Sequence, residues 1–211
     1  MIRPLRLDVD ALDVGSPEII DSALIRKHVR VDFPDDDDLL QKYLLAAVNW
    51  CEGAIHRTVF RRAHRWILDG FETEYPYGMR LPRGKTVSID SISYSAGGTV
   101  TTLKGSSSSP AGTDYQEDLR GDDGGVVMPN RGASWPSTDS NVPAPVVVTF
   151  TAGWVAADLP ADLLHAILFA IADAYDLRGT PDFNPAALGG SGPRLAARDA
   201  LVSGYQLSRF Y

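Results

Sequence analysis

The hydrophobic period of this chain changes twice, and that constrains its fold more than any other feature. From Asp36 to His56 the apolar residues Leu40, Tyr43, Leu44, Ala47, Cys51, Ala54 and Ile55 follow the i, i+3, i+4, i+7 spacing of one buried helix face. From residue 60 to residue 154 the pattern becomes one of short strands broken by turn residues. After Pro160 the helical spacing returns, through Leu163, Leu164, Ile167, Leu168, Ile171 and Tyr175. A helix with one apolar stripe must bury it against another element. The separated helical segments are therefore expected to pack together. The expected class is α+β, a helical bundle of about four helices with an inserted antiparallel β-rich subdomain.

The boundaries follow from breakers and caps. Residues 1–20 read as an extended N-terminal arm with Pro4, Gly15 and Pro17 in it. Asp21 can cap a short helix over about Ser22–His28, and Pro34-Asp35 is a natural start for the long one. The helical domain then comprises 21–59 and 155–203, the β-rich insert 60–154, and the C-terminal tail 204–211. The insert holds about six strands, with Gly97-Gly98 as a hairpin signal leading into TVTTL. The stretch KGSSSSPAG has little to bury and is expected to be a mobile loop. Pro193 opens the last helix and Gly204 ends it.

Charge and cysteine content exclude several functions. Lys and Arg number 20 against 27 Asp and Glu, a net charge of −7, which disfavours nucleic-acid binding as the main source of affinity. Cys51 is the single cysteine, so no intrachain disulfide and no Cys-based zinc site can form. The N-terminus has no apolar core of a secretory signal. The longest near-continuous apolar run, Leu163–Ala172, has ten residues, too few to cross about 30 Å of hydrocarbon. The expectation is a soluble protein with no membrane segment, from a reducing compartment or from a particle assembled there.

Motifs that could carry chemistry fail on spacing. Gly78–Thr86 places five residues between Gly78 and Gly84 where a phosphate loop needs four, and it runs into a strand. Gly189–Pro193 has Pro193 where a nucleophile elbow needs glycine. Asp35–Asp38 lacks the glycine and glutamate of a calcium loop, so it reads as an acidic first turn favoured by the helix dipole, with a partner-facing acidic patch as the alternative. His28, His56, His64 and His165 have no metal-ligand spacing, and Cys51 lies on an apolar face. No catalytic residue, metal or cofactor is expected, and the chain is not expected to be an enzyme.

Three surfaces stand out instead. Leu39, Tyr43, Ala46 and Trp50 fringe an already complete core stripe, so they are expected to form an oligomer interface. Arg57, Arg61, Arg62 and Arg65 form a basic cluster. It reads either as a patch for an acidic partner or as helix-end cations followed by an amphipathic strand. The tail holds Tyr205, Leu207, Arg209, Phe210 and Tyr211, residue types that include those enriched at binding hot spots.

The order of these pieces resembles the tailed-phage head–tail connector (adaptor) family, including prophage and gene transfer agent members. The string His28-Val29-Arg30-Val31-Asp32, the acidic stretch and the long Ala-rich helix match its N-terminal part. RWILDGF with RLPRG, Asp114-Tyr115 with Asp118, and Ser134-Trp135-Pro136 follow in the family's order. So do Val148, Phe150, Ala152 and Gly153, then Pro160, Asp162, Ala166 and Ile167. Trp154 stands where the family often has Tyr, and the serine-rich loop and residues 179–211 depart from its pattern. The resemblance covers about residues 20–178. It implies a structural subunit of a homo-oligomeric ring, usually of twelve, in the neck of a particle. Such a ring joins the portal protein to a stopper or tail-completion protein, and DNA passes through it. It also implies that the tail docks on the portal. The residues alone leave open a small-molecule-binding or hydrolytic domain on the β insert, or a regulatory protein-binding module.

Overall fold

The computed structural model describes residues 4–13, 16, 19–71, 78–178 and 193–207. Along them run β1 (Pro4–Val9), α1 (Ser22–Val29), α2 (Asp37–Ile55), β2 (Arg62–Leu68), β3 (Met79–Arg80), β4 (Thr86–Ala96), β5 (Thr99–Leu103), β6 (Tyr115–Asp118), β7 (Val126–Pro129), β8 (Val146–Ala152), α3 (Ala161–Asp176) and α4 (Pro193–Ser203). The class is α+β with antiparallel sheets, as expected. The chain divides into two compact units, one from residues up to Ala11 and Arg61–Gly153, the other from Leu12–Phe60 and Trp154–Ser208. Each has its own apolar core.

In the helical unit, Asp21 caps α1 by accepting the Ala23 N–H at 3.1 Å. A tight turn over Pro34–Asp36 delivers the chain to α2. There Asp37 and Asp38 sit in the first turn, where the helix dipole favours negative charge. α2 stops at His56, which takes a left-handed conformation and returns its N–H to the Glu52 carbonyl at 2.9 Å. The buried stripe of α2, from Leu40 through Leu44, Val48 and Cys51 to Ile55, shares one core with Leu163, Ile167 and Ile171 of α3 and Val202 of α4. Burial pushes the Cys51 thiol up to about 12, with the neighbouring Glu52 carboxylate adding to the effect, so it is an inert core residue. The Glu52 carboxylate is buried too and accepts the Val59 N–H at 2.8 Å.

The β unit has a five-stranded sheet in the order β1-β2-β8-β4-β5 and a three-stranded sheet in the order β3-β7-β6. β8 lies between β2 and β4, and its Val146, Val148, Phe150 and Ala152 alternate inward. The N-terminal arm supplies an edge strand, since β1 pairs antiparallel with β2. Among the described residues of 60–154 there are seven strands, one more than the sequence signals indicate, because β3 is only two residues long. The phosphate-loop look-alike is a turn through Arg83 and Gly84, both at positive φ, into β4.

Gly97 and Gly98 have φ of 58° and 75°, as a two-residue hairpin turn of the favoured hand requires. Asp139 holds that turn. Its carboxylate accepts the N–H groups of Gly97 at 2.7 Å and Gly98 at 3.1 Å, and the Ser95 hydroxyl at 2.8 Å. These bonds, from the Gly98 amide first, hold the Asp139 carboxyl below its ordinary pKa. Asp139→Ala is therefore expected to speed amide exchange at Gly97 and Gly98 severalfold while β8 exchange stays slow. Unchanged exchange at the turn would show that the glycines alone hold it.

The serine-rich loop, for which composition suggests a mobile segment, is hydrogen-bonded to β4 and β6. Glu117 accepts the Ser106 hydroxyl, the Ser107 N–H at 2.5 Å and the Ser107 hydroxyl at 2.9 Å. Ser108 donates to the Ile89 carbonyl at 2.9 Å and lies 3.1 Å from the Tyr115 hydroxyl. Gly105 packs so closely that an added Cβ would lie 2.3 Å from the Tyr115 ring. A carboxylate from β6, remote in the local sequence window, satisfies what the loop itself cannot.

Candidate interaction surfaces

Of the four α2 residues expected at an interface, Ala46 is exposed, while Leu39, Tyr43 and Trp50 are half-buried. Tyr43 and Trp50 already pack against the core of their own unit. The buried Arg198 guanidinium of α4 lies over the Trp50 ring, 3.9 Å from its centroid. What stays accessible of this stripe is Ala46 and parts of Leu39, Tyr43 and Trp50.

The acidic string is partly committed within the chain. Asp36 accepts the Tyr175 hydroxyl at 2.5 Å and Asp37 pairs with Arg26 at 2.7 Å. The carboxylate beside Tyr175 is the main cause raising that phenol's pKa. Asp35 and Asp38 are exposed.

The basic cluster does not form as one patch from the sequence neighbourhood. Arg57 is a correction: it is buried in the helical unit, and its Nε donates to the Tyr205 carbonyl at 2.5 Å. A carbonyl just past the end of α4 needs a donor, and a guanidinium supplies it. Arg61, Arg62 and Arg65 belong to the β unit, where Arg61 and Arg65 are exposed and Arg62 is half-buried. Strand alternation explains the split, since Arg61 and Arg65 share one face and Arg62 shares the other with His64 and Trp66.

Tyr205 and Leu207 are tied to their own unit. Tyr205 packs on the helical core, and the Leu207 N–H donates to the Ile55 carbonyl at 2.9 Å. Arg209, Phe210 and Tyr211 lie outside the described residues.

His64 is buried and stacked on Phe150, with ring centroids 5.0 Å apart. Burial pushes its pKa down to about 4. On α1, His28 has its ring centroid 6.1 Å from that of Phe169, and both line a cleft of about 570 Å³. Burial and, second, the His165 charge lower its pKa. Asp173 and Asp176 line the same cleft. Among the described residues no group of three His, Cys, Asp or Glu is placed to hold a metal, and no helix is long and apolar enough to cross a membrane.

No protein-family model and no curated protein matches the chain. Solved structures do. A chain in the neck of an empty GTA particle, computed with C6 symmetry, superposes with a TM-score of 0.71 at 22% identity, covering 98% of each chain. A chain of the virion of a native gene transfer agent (GTA) particle gives a TM-score of 0.69 at 20% identity, covering 100% of this chain and 97% of that one. A chain in the neck of a native GTA particle, computed with C12 symmetry, gives 0.65 at 21%, with the same coverage. From end to end, then, this chain has the fold of proteins that stand in the neck and virion structures of gene transfer agent particles.

Proposed function

We propose that this chain is a structural head–tail connector (adaptor) subunit in the neck of a phage or phage-like particle. It forms a ring between the portal protein and the stopper or tail, and DNA passes through that ring without sequence-specific binding. The observation that carries this reading is the extent of the structural match. At least 97% of both chains is covered in each comparison, so both units are shared rather than one widely reused module. A net charge of −7 suits a ring that lets DNA slide, since a basic lining would hold it. The α2 stripe of Leu39, Tyr43, Ala46 and Trp50 is the contact with the neighbouring subunit in this reading. The tail beyond Leu207, with Arg209, Phe210 and Tyr211, reaches the portal, and Arg61 and Arg65 face an acidic partner.

Removing this chain from a producing cell tests the reading. The expected result is filled heads and separate tails in electron micrographs, restored by the intact chain. Normally joined particles would sink it. Ala46→Glu tests the interface: an exposed site should change stability by no more than about 0.5 kcal/mol, yet ring formation should be lost. Rings formed by that variant at wild-type level would remove α2 from the contact.

A further inference from the structure

β5 is the outermost strand of the five-stranded sheet. Its pairing fixes which main-chain groups point outward. The two-residue turn makes Ala96↔Thr99 the closing pair of the hairpin. Pairs then alternate, so Ala96–Thr99, Tyr94–Thr101 and Ile92–Leu103 exchange hydrogen bonds while Ser95–Val100 and Ser93–Thr102 do not. Ser95 agrees, because its N–H goes to the Pro145 carbonyl at 2.8 Å and its carbonyl accepts the Asp139 N–H at 3.0 Å, both away from β5. Val100 and Thr102 therefore turn their N–H and C=O groups off the sheet. No strand among the described residues lies beyond them.

The next residue in that outward row is already served. The Lys104 N–H donates to the Asp114 carboxylate at 2.9 Å, and the Lys104 carbonyl accepts the Asp114 N–H at 2.8 Å. Asp114 thus behaves as a one-residue strand added to this edge. At the other end Asp139 fixes the turn. Among the described residues, what stays open is a window of two, Val100 and Thr102, on a hairpin held at both ends.

Natural proteins blunt exposed edges with charge or proline. The opposite edge of the same sheet does so, since β1 starts at Pro4 and carries the Arg6–Asp8 ion pair. β5 has neither, and the whole stretch from Ser91 to Leu103 is uncharged. Val100 is 70% exposed. An edge left open, uncharged and clamped is preorganised to take an added strand.

We propose that the β5 edge binds an extended strand of a neighbouring particle protein by strand addition. Four main-chain hydrogen bonds to Val100 and Thr102 hold it, and an apolar residue of the incoming strand covers Val100. The recognised segment is uncharged, extended and free of proline at the residues facing those two. A second copy of this chain fits less well, because two such windows meeting bury far less than the roughly 1,200 Å² of a stable interface. A strand tethered nearby in an assembly has the advantage of high effective concentration. The choice of a particle protein as the source rests on the neck reading above, whereas the open edge does not.

Amide exchange on the full chain, free and in assembled particles, tests this. In the free chain Val100 and Thr102 should exchange at least about tenfold faster than Thr101 and Leu103, and in particles they should slow by about tenfold or more. Val100→Pro removes one outward N–H and leaves the bonds to β4 in place. It should melt like the parent yet enter particles at under about a tenth of the parent level. Where the proline variant does not fold, Val100→Lys places a charge on the edge to the same end. Particles that contain the chain with fast exchange at both residues would overturn the strand-addition proposal and leave the neck reading standing. Protection in the free chain that grows with its concentration would identify a second copy as the occupant and overturn the particle partner. A chain that enters no particle would overturn the neck reading, and the choice of partner with it.

Discussion

Phe150→Ala is expected to destabilise the protein by about 4 kcal/mol, read as a fall in the denaturant midpoint at constant slope. Phe150 is fully buried in β8. It stands opposite His64 of β2 on one side and Ile89 of β4 on the other. Strands hydrogen-bonded on both flanks cannot close in on the space a lost ring leaves, so the cavity term adds to the lost transfer energy. The truncation also removes the partner on which the His64 imidazole stacks. A loss below about 1.5 kcal/mol would mean that the β unit repacks freely around its central strand.

His64 provides the second large effect, and it depends on pH. Burial holds the imidazole at a pKa of about 4, well below its ordinary 6.5. Nδ1 lies 2.9 Å from the Arg62 carbonyl, a contact that opposes the shift by favouring the charged ring. The Arg62 and Arg83 charges lower the pKa further, and Asp10 raises it. The folded pKa is depressed, so between those values the unfolded chain binds a proton that the folded chain does not. Stability from the neutral ring is therefore complete above the unfolded pKa and declines as pH falls toward the folded one. Between pH 7 and pH 5 the expected loss is about 2 kcal/mol. His64→Gln should flatten that slope in the same denaturation series. An equally steep slope in the variant would assign it to other groups.

The long helix was legible to within a residue at each end, since α2 spans Asp37–Ile55 and the periodicity ran from Asp36 to His56. Its signal is local: a full stripe, acidic residues at the start and a polar turn at the end. The Gly97-Gly98 hairpin was legible for the same reason, because positive φ at two successive residues calls for glycine. The order of the serine loop was not, because Glu117 and Tyr115 supply its partners from another strand. Arg57 was misplaced among exposed cations because nothing near it in sequence announces the Tyr205 carbonyl it serves, 148 residues away. The open edge at Val100 and Thr102 left one trace in the sequence, a strand without charge or proline. That trace acquires meaning only once β5 is known to be outermost.

The division of the helical unit into two chain segments sets a timetable for synthesis. α2 finds its apolar partners on α3 and α4, yet α3 begins only at Ala161. Roughly a hundred residues must leave the ribosome between the two helices, and at 5–20 residues per second that takes on the order of 5 to 20 s. Through that interval Leu40, Leu44, Val48 and Ile55 have nothing from α3 to cover them. The inserted strands have all their own partners by Ala152 and can fold while α2 waits. A chaperone that binds apolar helices during translation would accordingly meet this protein early, and release it only after α3 and α4 have emerged.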